Sequence, residues 1–170
     1  MAEAAGGLSG GLPDDVMPVD PSIVRLWDRY RASDPAAPAT VPTSFHFCDN
    51  QRDADICALL VAIGKKRATA TSLAELELDG EPVPHVGAYA IVTDWTGEAK
   101  AVIRTTSVEI RRFYEVDEDF AREEGEGDCT LEWWRTVHDA YYKRVLTDSG
   151  HVVDANLEIA CERFELLLVA

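Results

Sequence analysis

The sequence lacks the features that mark several whole classes of protein. No apolar run approaches the roughly 20 residues of a membrane-spanning helix. The N-terminus, MAEAAGGLSGGLPDD, has neither a basic region nor an apolar one, so no secretory signal is expected. The four cysteines (Cys48, Cys57, Cys129, Cys161) never take C-x-x-C spacing. The four histidines (His46, His85, His138, His151) form no close ligand pair. A structural zinc site is therefore not expected, and the cysteines read as free thiols of a cytoplasmic protein. Positive charge is scarce as well. There are 16 Lys+Arg against 31 Asp+Glu, a net charge of −15 at pH 7. Such a body repels a polyphosphate over most of its surface, which argues against a generic nucleic-acid coat protein. A small basic pocket inside an acidic body remains compatible with it.

What is present describes an ordinary folded chain. Its 170 residues are 46% hydrophobic and 28% charged, enough for one domain that buries its own core. Residues 1–20, rich in Gly, Ala, Pro and Asp, read as a disordered N-terminal arm, and residues 21–170 as a single domain. Asp20-Pro21 has the form of an N-cap followed by proline at the first helical position. Ile23, Val24, Trp27 and Tyr30 follow at helical spacing, ending near Ser33. The proline-rich stretch 34–43 is a loop, and Phe45 and Phe47 open the next packed region. Asp53 to Ile63 predicts a second helix with Ile56, Leu59, Leu60 and Ile63 on its core face, stopped by Gly64. Ala88–Thr93 and Ala99–Val108, joined by Asp94-Trp95-Thr96-Gly97, read as a hairpin. Asp117 can cap a short helix through Glu124. Thr130 can cap a longer one to about Leu146, with Trp134, Val137, Tyr141 and Val145 inward. Leu157–Val169 closes the chain as a strand. Helices and strands do not alternate regularly. The expected fold class is therefore α+β, a small, partly open β-barrel flanked by helices.

Two segments call for a chemical explanation. One is the basic turn Gly64-Lys65-Lys66-Arg67-Ala68-Thr69. The other lies within residues 115–132, where nine acids meet one base, Arg122, and supply −8 of the net charge. Together they form the motifs G-x-K-x-x-T and E-G-E-G-D-x-T-L-x-x-W-R-x-x-H, the second running from Glu124 to His138. With the hairpin between them, these ordered motifs span roughly residues 45–142, and in them the sequence resembles the ASCH-domain family.

That resemblance implies a PUA-like β-barrel with a cleft facing the first motif. It also implies a function: ASCH domains have been regarded as RNA-binding modules, some are similar to ribonucleases, and a small bacterial member is an N(4)-acetylcytidine amidohydrolase. Carried over by motif position, that enzyme's working lysine, threonine and glutamate fall on Lys66, Thr69 and Glu124. This chain has a longer acidic loop, which leaves the glutamate open among Glu123, Glu124 and Glu126. Amide hydrolysis suits these residue types, since it needs a nucleophile, a proton acceptor and a site for the oxyanion. Thr69 offers the hydroxyl. Lys66 serves as base if desolvation or neighbouring cations lower its pKa. Lys65, Arg67, Trp95, Glu126 and Thr130 are the candidate substrate-binding residues.

Each has a plainer explanation. A Lys-Lys-Arg run after a helix is commonly a solvated cap, and most of the acids sit on a solvated loop. Thr130 serves as an N-cap, and His138 as a packed imidazole. No cofactor is expected, although the carboxylates of Glu124, Glu126 and Asp128 are the type of ligand that Mg²⁺ or Mn²⁺ takes. The expected partner is a small nucleoside or nucleobase substrate, with RNA as the alternative and no membrane. The expected activity is hydrolysis of an N(4)-acylated cytosine, cytidine or related small amide. An RNA-binding or ribonuclease role in the same cleft is the alternative.

Overall fold

The computed structural model describes residues 19–170, so the expected arm lies outside the described residues except for Val19 and Asp20. Helix α1 (Pro21–Ser33) starts as its sequence requires, with the Asp20 carboxylate accepting from the Ser22 amide at 2.8 Å. It buries Ile23, Leu26, Trp27 and Tyr30. After the two-residue strand β1 (Ser44–Phe45), helix α2 (Gln51–Ala62) is capped by Asn50. Strand β2 (Ala68–Ser72) leads directly into α3 (Leu73–Asp79). Strands β3 (Tyr89–Thr93) and β4 (Ala99–Arg112) form the expected hairpin, with β4 continuing four residues past the expected end. Helix α4 (Glu118–Glu124) is capped by Asp117 and α5 (Leu131–Val145) by Thr130, both as read from the sequence. Strand β5 (Glu158–Val169) completes the chain.

The five strands form one mixed sheet in the order β1-β3-β4-β5-β2. All pairs are antiparallel except β1 with β3. The architecture is α+β, as expected. The sheet is open, with β1 and β2 as its two edges. Register shifts at Val92/Thr93, Val102/Ile103 and Thr105/Ser107 bend the long strands, as bulges do. Helix α1 packs on Ile91, Ala99 and Val102, and α2 on Val92, Ala101, Ile103 and Phe164. Helices α4 and α5 pack with β2 and the first half of β5 in a separate cluster around Trp134 and Tyr142. Among the described residues no helix is long and apolar enough to cross a membrane.

Two helix faces differ from their apolar patterns. On α2 the buried residues are Ala54, Cys57, Ala58 and Val61, while Leu59 is 61% and Ile63 65% exposed. Small side chains let the helix lie close to the sheet, and the larger aliphatics are left outside. On α5 the inward residues are Trp134, His138, Tyr142 and Leu146, and Val137 is exposed. The face is turned by one residue because the polar tips find partners inside. The Tyr142 hydroxyl donates to the Ala70 carbonyl at 3.0 Å, and His138 meets the Trp134 carbonyl. Ala68 and Thr69, the end of the basic turn as read from the sequence, open the edge strand β2, and α3 had no apolar period to reveal it.

Candidate active site

The basic turn is held from both sides. Gly64 takes a φ of +73°, and the amides of Lys65 and Lys66 both donate to the Leu60 carbonyl, at 2.9 and 3.0 Å. The Arg67 amide then donates to the Glu123 carbonyl at 2.8 Å, and the Phe164 amide to the Arg67 carbonyl at 2.9 Å. Side chains alternate along this extended stretch. Lys66 points inward and is only 1% exposed, while Lys65 and Arg67 point to solvent. The two flanking cations therefore do not converge on Lys66.

What does converge is negative charge. The Lys66 ammonium donates to Glu124 Oε2 at 3.1 Å and makes a shorter ion pair with Glu126 Oε1. It also sits 5.0 Å above the Phe47 ring. Burial alone pushes Lys66 down, but the charges of Glu124 and Glu126, with a smaller contribution from Cys57, outweigh it and raise its pKa. Lys66 is thus held as an ammonium. The expected free-base lysine does not occur here, because its neighbours are carboxylates rather than cations.

The three acids left open by the sequence now separate. Glu123 turns away and pairs with Arg163. Glu124 is saturated: Oε2 faces Lys66, and Oε1 accepts from the Trp134 indole at 2.8 Å. His138 stacks on Trp134 at 4.1 Å, with its Nδ1 2.9 Å from the Trp134 carbonyl. A carbonyl can only accept, so the proton is on Nδ1 and Nε2 faces Glu124 Oε1 at 3.6 Å. Glu126 is the more accessible carboxylate, its side chain 17% exposed. Burial pushes Glu126 up, but the Lys66 charge and hydrogen bond, with His138 and Cys57, hold it below the ordinary glutamate range.

These groups meet at a cavity of about 530 Å³ between β2, α2 and α5. Glu124, Glu126 and His138 line it, as do Thr69, Thr71, Glu75 and Glu162. Phe45, Phe47, Trp133 and Tyr141 provide apolar surface. Thr69 reaches the wall because β2 buries Ala68, Ala70 and Ser72 on one face and turns Thr69 and Thr71 to the other. Lys66 lies behind the two carboxylates rather than on the wall. Of the other candidates, Lys65 and Arg67 face solvent. Trp95 touches His46 at 4.7 Å and so stands one residue back from the cavity. Thr130 caps α5 and bonds Asp128 at 2.7 Å, away from the wall. The oxygens proposed for Mg²⁺ or Mn²⁺ are used internally, by Lys66 and by Thr130. Among the described residues no group of three or more His, Cys, Asp or Glu could hold a metal ion.

The wall also holds acids from outside the two site motifs: Asp49, Asp53, Glu75 and Glu162. Glu162 pairs with Thr69 across the β2–β5 ladder and accepts from the Thr105 hydroxyl at 2.5 Å. Nothing in the sequence singled it out, since β5 also carries Glu158 and Glu165. Burial raises the Glu162 pKa, only partly offset by Thr105. The raised value means that its stabilising contribution is present below the ordinary glutamate pKa and is lost as pH rises through the folded value. Glu162→Gln keeps an acceptor for Thr105 without the charge. It is expected to melt higher than wild type at pH 7 and to match it near pH 4. An unchanged or lower melting temperature at pH 7 contradicts this account of Glu162.

Comparison with known proteins bears on the fold and the family. No curated protein matches the chain. A crystal structure of an ASCH domain from Lactobacillus crispatus JV V101 is similar, with a TM-score of 0.81 and 27% identity, covering 91% of this chain and 99% of that one. So is a crystal structure of a protein from Enterococcus faecalis V583, with a TM-score of 0.78 and 28% identity, covering 87% of this chain and 89% of that one. The model of the ASCH domain matches residues 43–168, a span that holds the basic turn, the acidic loop and every wall residue of the cavity. The chain therefore belongs to the ASCH domain family, which is linked in general to RNA-binding and hydrolytic roles.

Proposed function

We propose that the protein is an amidohydrolase acting on an N(4)-acylated cytosine, cytidine or related small amide. One observation carries this most: Thr69 shares its cavity with the Lys66–Glu124–Glu126 cluster. The Thr69 oxygen attacks the acyl carbon as its proton passes to the cluster, the C–N bond breaks with a proton returned to the leaving amine, and water then cleaves the threonyl ester. One ammonium and two carboxylates give the cluster a net charge of −1, so it takes up the Thr69 proton without building positive charge. Glu126 is the carboxylate exposed to accept it. Lys66 supplies fixed positive charge, and Glu124 orients Lys66. The acidic wall favours a small neutral substrate. An RNA strand using the same cleft would bring its phosphates towards Glu75, Glu126 and Glu162, which places the RNA-binding or ribonuclease alternative second.

Release of cytidine from N(4)-acetylcytidine tests the assignment. Thr69→Ala is expected to lower kcat/KM by about 10³-fold or more, and Thr69→Ser to retain much of it. Full turnover by Thr69→Ala would remove threonine as nucleophile. RNA affinity that is strong at low salt, together with no release of cytidine by wild type, would establish the alternative instead.

A further inference from the structure

The wall of the cavity continues beyond Thr69. Thr71 lies about 7 Å further along the same face of β2, and Glu75 follows in the first turn of α3. Ser72-Leu73-Ala74-Glu75 has the S-x-x-E form of a capping box, in which the glutamate turns back to the cap amide. Only half of that box forms. The Ser72 hydroxyl accepts from the Glu75 amide at 3.1 Å, but the Glu75 carboxylate turns to the cavity. There its Oε1 accepts from the Tyr141 hydroxyl at 2.5 Å. Its Oε2 is buried and has no hydrogen-bond partner among the described residues. A buried carboxylate oxygen without a donor is costly, and a ligand that supplies the donor removes that cost.

We infer that Glu75, positioned by Tyr141, forms a subsite that accepts a hydrogen bond from a sugar hydroxyl of a nucleoside ligand. The ligand chemistry selects the hydroxyl. In an N(4)-acylated cytidine the pyrimidine offers acceptors at O2 and N3, and its one N–H is the scissile amide. The remaining donors are the hydroxyls of the sugar, across the ring from the acyl group. A nucleophile at Thr69 and an acceptor beyond Thr71 fit that separation. Asp49, whose carboxylate is engaged by Arg144 at 3.0 Å on both oxygens, closes the same end of the cavity. Burial pushes the Glu75 carboxyl up, opposed by the Tyr141 bond, while the charges of Asp79 and Asp49 add to the rise. A donor on the free oxygen relieves this strain. The subsite rests on the amidohydrolase reading only for the orientation of the ligand, so its test has one arm without turnover.

In that arm, calorimetry measures binding of cytidine and of 1-methylcytosine, which lacks both a sugar and an N1–H, to wild type and Glu75→Gln. Glu75→Gln is expected to weaken cytidine by about tenfold or more and 1-methylcytosine by no more than about twofold. In the second arm, N(4)-acetylcytidine and N(4)-acetyl-1-methylcytosine are compared as substrates. The loss is expected in KM for the riboside, with kcat nearly kept. Tyr141→Phe, which frees Glu75 Oε1, is expected to give the same pattern more weakly. Cytidine binding that depends on Glu75 without any hydrolysis keeps the subsite and sinks the amidohydrolase. Hydrolysis with equal losses for both substrates, or with none, overturns the subsite. Failure of cytidine to bind wild type overturns the subsite, and, if no cytidine is released from N(4)-acetylcytidine either, the amidohydrolase with it.

Discussion

Lys66→Met is expected to cost about 3–5 kcal/mol of stability at pH 7, because it leaves the buried Glu124 and the half-buried Glu126 carboxylates without their cation. For a chain of this size that is a fall of roughly 10 °C in Tm. Methionine fills much of the volume of the lysine stem, so the loss does not come from a cavity. Glu124 keeps only the Trp134 indole and the edge of His138, and Glu126 loses its strongest partner. The pH dependence identifies the cause. The Lys66 pKa is raised in the fold, so its contribution is present below the ordinary lysine value and is lost only as pH rises through the folded value. The Glu126 pKa is lowered, so its contribution is present above the ordinary glutamate value and is lost as pH falls through the folded one. Wild type therefore draws on both across the neutral range. The variant's deficit is largest there and narrows towards pH 4, where Glu126, without the cation that holds it low, takes up a proton. Thermal melts at pH 4 and pH 7 measure it. An equal deficit at both values, or none at pH 7, contradicts an electrostatic role for Lys66.

The same cluster shows what the sequence made legible. The family resemblance singled out Lys66, Thr69, Glu124 and Glu126, and the fold brings all four together around one cavity, although some 60 residues separate the basic turn from the acidic loop. Caps were legible too, because Asp20, Asp117 and Thr130 act on amides two or three residues away. Local chemistry of this kind does not depend on tertiary structure. Orientation does depend on it. Nothing in Gly64-Lys65-Lys66-Arg67 says that the middle lysine alone turns inward, since that follows from the bonds to Leu60, Glu123 and Phe164. The expected shift of Lys66 had the wrong sign for the same reason: sequence neighbours are cations, spatial neighbours are acids. On α2, apolar periodicity selected Ile56, Leu59, Leu60 and Ile63, whereas the sheet selected Ala54, Cys57, Ala58 and Val61 for their size. Glu75 follows β2 directly into α3, whereas only the pairing of β2 with β5 brings Glu162 to the Thr69 wall. Charge followed the same pattern. The acidic segment does face the basic turn, but of its three cations only Lys66 forms ion pairs there, while the side chains of Lys65 and Arg67 point to solvent.

Gly125→Ala is expected to do more damage than any other single-methyl addition at a glycine that caps a helix. Gly125 ends α4 with a φ of +69°, a conformation that costs a residue with a Cβ about 1–2 kcal/mol. A Cβ there would also lie 2.6 Å from the Lys65 carbonyl oxygen and 2.9 Å from its carbon. Those are backbone atoms of the turn whose amides are already bonded to Leu60, so they have little freedom to retreat. The acidic loop must move instead, and Glu126, the next residue, moves away from Lys66 with it. Gly80 supplies the control. It ends α3 with nearly the same φ, +68°, and a Cβ there meets nothing within 4 Å. Gly80→Ala should cost about 1 kcal/mol from the backbone alone and leave N(4)-acetylcytidine hydrolysis near wild type. Gly125→Ala should cost at least about 2 kcal/mol more, since it also disrupts a buried ion pair, and should reduce that hydrolysis sharply. Denaturant unfolding of the two variants separates conformational strain from contact. Equal losses of stability would mean that the approach of the acidic loop to the Lys65 carbonyl does not constrain the site.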